Sequence, residues 1–141
     1  MEMVNIQING RDYAVPAGST VIDAARIAKI DIPTLCYLKG VNEIGACRLC
    51  LVEVKGARGL MAACVTGVTE GMEIFTNTPK VREARKTNLE LVLSTHKKEC
   101  LSCIRSQSCE LQKLCRDLGV TDEARFAGKN VEYPKDESTA F

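Results

Sequence analysis

Val4-Asn5-Ile6-Gln7-Ile8-Asn9-Gly10-Arg11-Asp12-Tyr13-Ala14-Val15 alternates apolar and polar residues on either side of an Asn-Gly pair. A period of two marks strands with one buried face, and Asn-Gly supplies the two positive φ values of a type I′ turn. The stretch predicts a tight β-hairpin whose two-residue loop sets Ile6 across from Tyr13 and Val4 across from Val15. That face needs a cover. Thr20-x-x-Asp23 is a capping-box signal, and Val21, Ala24, Ala25 and Ala28 follow at helical spacing, so a helix over 20–29 is expected to pack closely on the sheet.

Pro33 is expected to end any helical continuation, and residues 32–50 hold Gly40, Gly45 and three cysteines without periodicity. They predict a long irregular loop, a kind of segment that is usually functional. Leu51-Val52-Glu53-Val54, a turn at Gly56 and Gly59, and Leu60-Met61-Ala62-Ala63 predict a second hairpin, with a last strand from Met72 to Thr76. The order β-β-α-loop-β-β-β describes an α+β domain over 1–78. Thr78-Pro79 places an N-cap before a proline at the first helical position, and a helix is expected over 80–95. Its charges, Lys80, Arg82, Glu83, Arg85, Lys86 and Glu90, suit a solvated face. Glu110 to Leu118 predicts a short helix closed by Gly119, which completes a small helical domain over 79–120; residues 121–141 suit a connector or tail.

The 141 residues are 45% apolar and 26% charged, enough for a packed core. A net charge of +1 and six aromatics give neither the basic stripe nor the stacking platform of a nucleic-acid binder, so no nucleic-acid partner is expected. No run approaches the roughly 18 apolar residues of a membrane span, and the opening residues lack a basic leader, so no membrane insertion and a cytoplasmic location are expected.

Eight cysteines stand out. A reducing compartment leaves such thiols for metal binding in preference to disulfides. The first constellation is Cys36-x10-Cys47-x2-Cys50-x13-Cys64, with Gly45 and Ala46 letting the loop approach closely. One tight C-x-x-C, whose loop can put the Cys47 and Cys50 sulfurs on one iron, flanked by distant cysteines suits a plant-type 2Fe–2S centre, with x10 in place of x4 in the first gap. A four-cysteine zinc site, and with it a zinc-stabilised structural or interaction module, stays open, although zinc usually takes two such knuckles. The second constellation is His96-x3-Cys100-x2-Cys103-x5-Cys109, followed by Cys115. On spacing alone His96 is either a ligand or an ordinary residue near a helix end, and Cys115 either a fourth ligand or a small packing residue in its helix.

With both constellations placed, the chain resembles the N-terminal electron-transfer region of multi-cluster iron-only ([FeFe]) hydrogenase catalytic subunits. The same architecture is found in the large peripheral-arm (75 kDa-type) subunit of complex I, in NAD-linked formate dehydrogenases and in the diaphorase part of nickel–iron hydrogenases. Gly45-Ala46-Cys47-Arg48-Leu49-Cys50-Leu51-Val52-Glu53-Val54 is similar to their 2Fe–2S signature, and His96 through Cys109 to their 4Fe–4S site. Cys109-Glu110-Leu111-Gln112, Leu114, Leu118-Gly119-Val120 and Phe126-x-Gly128 resemble the hydrogenase version most closely. The resemblance implies a ferredoxin-like β-grasp domain holding one 2Fe–2S cluster on Cys36, Cys47, Cys50 and Cys64. It further implies a helical domain holding one 4Fe–4S cluster on His96, Cys100, Cys103 and Cys109. Lys97 stands where the family usually has proline, Cys115 is outside the shared motif, and the 141 residues do not include the further ferredoxin-like and catalytic domains that follow in hydrogenases, so a piece of a larger subunit and a small standalone carrier both stay open.

The implied partners are other parts of a redox complex: a hydrogenase catalytic part, a flavin- and NAD(P)H-oxidising subunit, or further iron–sulfur proteins. No general base, nucleophile or nucleotide-binding glycine loop is recognisable, so the expected role is a one-electron relay without a catalytic site of its own.

Overall fold

A computed structural model of the chain describes residues 1–122, 124–127, 134, 137 and 138. Strands β1 (Met3–Ile8) and β2 (Arg11–Pro16) form the first hairpin, with Asn9 and Gly10 at φ 52° and 82°. Ile6 faces Tyr13 and Val4 faces Val15, the register that an Asn-Gly loop imposes. Helix α1 (Val21–Ile27) covers this face, and Ile6, Ile8 and Val15 share one buried core with Val21, Ile22, Ala24 and Ala25. Thr20 caps it by accepting the Asp23 N–H at 3.3 Å.

The end of α1 differs from expectation. Lys29 adopts φ 57°, its N–H donates to the Arg26 carbonyl at 3.1 Å, and the Ile30 N–H donates to the Ala25 carbonyl at 2.8 Å. This is a Schellman ending with lysine in the left-handed position that glycine usually takes. Lys29, not Pro33, stops the helix.

Strands β3 (Leu51–Val54) and β4 (Met61–Ala62) form the second hairpin, with Leu51 opposite Ala62. Strand β5 (Glu73–Phe75) enters between the two hairpins, parallel to β1 and antiparallel to β3, so the order is β2-β1-β5-β3-β4. Ile74, 1% exposed, faces both Ile8 and Val54 from that central place.

Helix α2 (Pro79–Leu93) begins at Thr78, whose hydroxyl accepts the Val81 N–H at 3.2 Å and donates to Glu53 at 2.9 Å. The expectation of a solvated charged face fails at Arg85 and Glu90, which are 4% and 2% exposed. Arg85 falls on the buried stripe Val81, Arg85, Leu89, Leu93, one residue per turn. Glu90 accepts a bond from Arg125 at 2.9 Å, and the Arg125 guanidinium lies 4.9 Å over the Phe126 ring. The start of the expected connector therefore folds back onto α2. Gly128 and most of the remaining tail lie outside the described residues.

Helix α3 (Glu110–Asp117) ends as its sequence predicts: Gly119 has φ 66°, and the Val120 N–H reaches back to the Cys115 carbonyl at 2.9 Å. Leu49 from the cysteine loop, Leu89 from α2 and Leu114 from α3 form a second buried core, flanked by Leu35, Cys47, Leu111 and Cys115. The two cysteine segments thus meet across one apolar layer. Among the described residues no helix is long and apolar enough to cross a membrane.

Candidate metal centres

The loop between α1 and β3 is pinned from both sides. Lys39 forms an ion pair with Asp23 of α1 at 2.9 Å, and Arg26 of α1 lies 4.9 Å over the Tyr37 ring. From the other side, Asn88 of α2 donates to the Arg48 carbonyl at 2.8 Å. Within the loop the Asn42 side chain donates to the Cys36 carbonyl at 2.6 Å. Gly45 sits at φ 64°, and a Cβ there would lie 3.3 Å from Val65, so both backbone conformation and space call for glycine. Arg48, inside the C-x-x-C, also has positive φ, at 56°.

These constraints bring the four cysteines of the first constellation together. The Cys47 N–H donates to the Cys36 sulfur at 3.4 Å. Burial pushes the Cys36 thiol up, but the Cys47 N–H, the Cys47 side chain and the Ala46 N–H outweigh it and hold the thiol below its ordinary value. Cys50 and Cys64 are 1% and 2% exposed. Burial first, then the hydrogen bond with Cys50 and the nearby Cys50, Cys36 and Cys47 thiols, push Cys64 up to about 12.

The close thiol pairs are Cys36 with Cys47 and Cys50 with Cys64, whereas the C-x-x-C spacing alone suggests Cys47 and Cys50 side by side on one iron. Among the described residues no three His, Cys, Asp or Glu side chains converge on one ion position. Cys36 with Cys47 and Cys50 with Cys64 offer two sulfurs to each of two metal ions. They suit a binuclear centre, and N–H groups turned toward sulfur suit the negative charge such a centre carries.

The second constellation lines a single cavity of about 910 Å³ that includes His96, Cys100, Cys103, Cys109 and also Cys115. His96 lies three residues past the end of α2, with its N–H bonded to the Leu93 carbonyl at 3.2 Å. Cys100 opens a 3₁₀ turn over Cys100–Ser102, Cys103 closes it with an N–H bond to the Cys100 carbonyl at 3.3 Å, and Cys109 is the N-cap of α3. His96, Cys100 and Cys103 are exposed and Cys109 is half-buried. Soft thiolates and one imidazole around such a space suit a polynuclear iron–sulfur cluster. Cys115 packs at the edge of the second core, as a small apolar residue would, yet it reaches the same cavity. No disulfide joins the cysteines among the described residues.

Three contributors escaped the sequence reading. Leu49, 0% exposed, has only the ligand motif around it as a signal. Asn88 carries none. Arg85 has one, since Val81, Leu89 and Leu93 share its four-residue spacing.

Residues 1–79 match the family described as 2Fe-2S iron-sulfur cluster binding domain, and residues 85–124 match the NADH-ubiquinone oxidoreductase-G iron-sulfur binding region. Over 146 aligned residues the chain is 45% identical to the NADP-reducing hydrogenase subunit HndD of Solidesulfovibrio fructosivorans, covering 100% of this chain and 25% of that protein. It is 39% identical to the NADH-ubiquinone oxidoreductase 75 kDa subunit of Reclinomonas americana, covering 88% of this chain and 18% of that one. The crystal structure of an NAD+-reducing [NiFe]-hydrogenase in its H2-reduced state matches 95% of this chain and 55% of its own, with 27% identity and a TM-score of 0.78. The chain spans a quarter or less of the length of these two curated relatives. The likeness extends across hydrogenases and complex I-type subunits and is not specific to iron-only hydrogenases. One 2Fe–2S and one 4Fe–4S region in a single chain make it an iron–sulfur electron-transfer module. The chain belongs to the 2Fe–2S iron–sulfur cluster binding domain family, with an NADH-ubiquinone oxidoreductase-G-type iron–sulfur region joined behind it.

Proposed function

We propose that Cys36, Cys47, Cys50 and Cys64 hold the 2Fe–2S cluster, with Cys36 and Cys47 on one iron and Cys50 and Cys64 on the other. His96, Cys100, Cys103 and Cys109 hold the 4Fe–4S cluster, and Cys115 packs beside it. The clusters would supply reversible one-electron capacity; the protein fixes their distance, buries Cys50 and Cys64 of the first and sets their charge. The observation that carries the reading is the shared core of Leu49, Leu89 and Leu114, which begins between two ligands of the first site and ends beside the cavity of the second. An electron entering either site has a packed, dry layer to cross.

The functional units are residues 1–78 and 79–120. By analogy with the hydrogenase and complex I relatives, the relay serves a redox complex in the cytoplasm, taking electrons from or giving them to a flavin- and NAD(P)H-oxidising subunit, with a hydrogenase-type acceptor as the finer reading. Iron and labile-sulfide assay after anaerobic preparation tests the cofactor assignment, and electron paramagnetic resonance of Cys47→Ser and Cys103→Ser tests the ligands. Each substitution should remove one signal; stoichiometric zinc without labile sulfide would end the reading.

A further inference from the structure

Arg85 is the one charged residue of the buried α2 stripe. Its Nη2 donates to the Leu51 carbonyl at 2.7 Å, which fixes the guanidinium one residue along the chain from Cys50. Its Nε is the buried side-chain nitrogen or oxygen that has no hydrogen-bond partner among the described residues. Burial lowers its pKa to about 10, and the charges working against that loss are those of Cys50 and then Asp31. Asp31 is exposed, so solvent screens it. A buried cation without a matching anion is costly, and a natural protein retains one where something offsets it. Four thiolates on a 2Fe–2S core supply that anion, with a net charge of 2− when oxidised and 3− when reduced.

We propose that Arg85 is a positioning residue for charge at the 2Fe–2S centre: a permanent, buried cation beside Cys50 that favours the reduced state and so raises the centre's potential. The proposal rests on the assignment of Cys50 as a ligand. Arginine fits the role because its guanidinium keeps its proton on burial and its planar fork reaches the Leu51 carbonyl. The neighbouring cavity, about 420 Å³, is lined by Arg85 and Asp31 and by Glu110, Lys113, Leu114 and Asp117 of α3, the exposed carboxylates there being screened by solvent and Asp117 paired with Lys113, so the same cation stands at the junction of the two cluster segments.

The test is a dithionite redox titration of the anaerobically prepared full chain, followed by electron paramagnetic resonance, with iron and labile sulfide measured on each sample. Arg85→Gln keeps a donor for the Leu51 carbonyl and removes the charge. It should disfavour reduction of the 2Fe–2S centre about tenfold, which is 59 mV for a one-electron couple. The 4Fe–4S centre should move less, and Arg85→Lys should stay within about threefold of wild type. An Arg85→Gln potential equal to wild type, at full cluster content, overturns the proposal. If Arg85→Gln folds but loses the 2Fe–2S centre, restoration by Arg85→Lys supports the charge role. Loss in both variants assigns Arg85 to hydrogen-bonding geometry and overturns it. Wild-type protein without labile sulfide would instead overturn the ligand assignment beneath it.

Discussion

The Asn88 side chain donates to the Arg48 carbonyl at 2.8 Å, so a helix that supplies no ligand holds the middle of the Cys47–Cys50 loop in place. Arg48 has a positive φ, a conformation that a non-glycine residue keeps only when its surroundings hold it. Asn88→Ala should cost about 1 kcal/mol of stability and speed loss of the 2Fe–2S centre. Chelator-driven bleaching of its visible absorbance measures this, and a rate equal to wild type would separate helix from loop.

Gly45→Ala should be costlier. It forces alanine into φ 64° and places a methyl 3.3 Å from Val65, whereas Gly56 has φ 85° with open space around it. Strain of the first kind costs more than about 1 kcal/mol, and crowding adds to it. Denaturant unfolding should rank Gly45→Ala below Gly56→Ala, and the former should hold less 2Fe–2S cluster.

The metal-free protein should show an ordered set of thiols. Cys36 is held below and Cys64 pushed above the ordinary value of 9.0, the latter to about 12. Iodoacetamide with mass mapping at mildly alkaline pH should label Cys36 well before Cys64. Because Cys64 is raised in the folded state, its contribution to stability is complete below 9.0 and is lost as pH rises toward about 12. Apoprotein unfolding midpoints should fall across that window; a flat profile would contradict the grouping of the four thiols.

His96→Cys should retain iron and become harder to reduce. Exchanging a neutral imidazole for a thiolate adds one negative charge to the 4Fe–4S ligand set, which stabilises the oxidised state. A shift of about tenfold in the reduction equilibrium, 59 mV for one electron, is the expected scale. Cys115→Ala should keep full iron. If it lost the 4Fe–4S centre while His96→Ala kept it, the fourth ligand would be Cys115.

Much of this is written in local sequence, and the exceptions share a cause. Asn9-Gly10 sets the register of the first hairpin, Thr20 and Thr78 cap their helices, and Gly119 closes the last, because each works within a few residues. The insertion of β5 beside β1 depends on residues far apart in the chain, and no local pattern encodes it. Solvated arginine and buried arginine look alike in sequence until the stripe around them is counted, which is how Arg85 escaped notice, whereas Glu90 is met by Arg125 from far along the chain. The cysteine spacings located both constellations but not the pairing of thiols across the C-x-x-C, since that depends on how the loop turns at Gly45 and Arg48.

The placement of Leu49 also bears on how the protein matures. Helix α3 has eight residues, too few to hold its shape alone in water, and its one buried side chain is Leu114. Leu114 is buried against Leu49, which the first cysteine loop presents, and Leu89. Helix α3 thus leans on a surface shared by the cysteine loop and α2, whereas the sheet and α1 have a separate core of their own. Order therefore spreads in one direction, from the half that has its own core to the short helix that packs upon it.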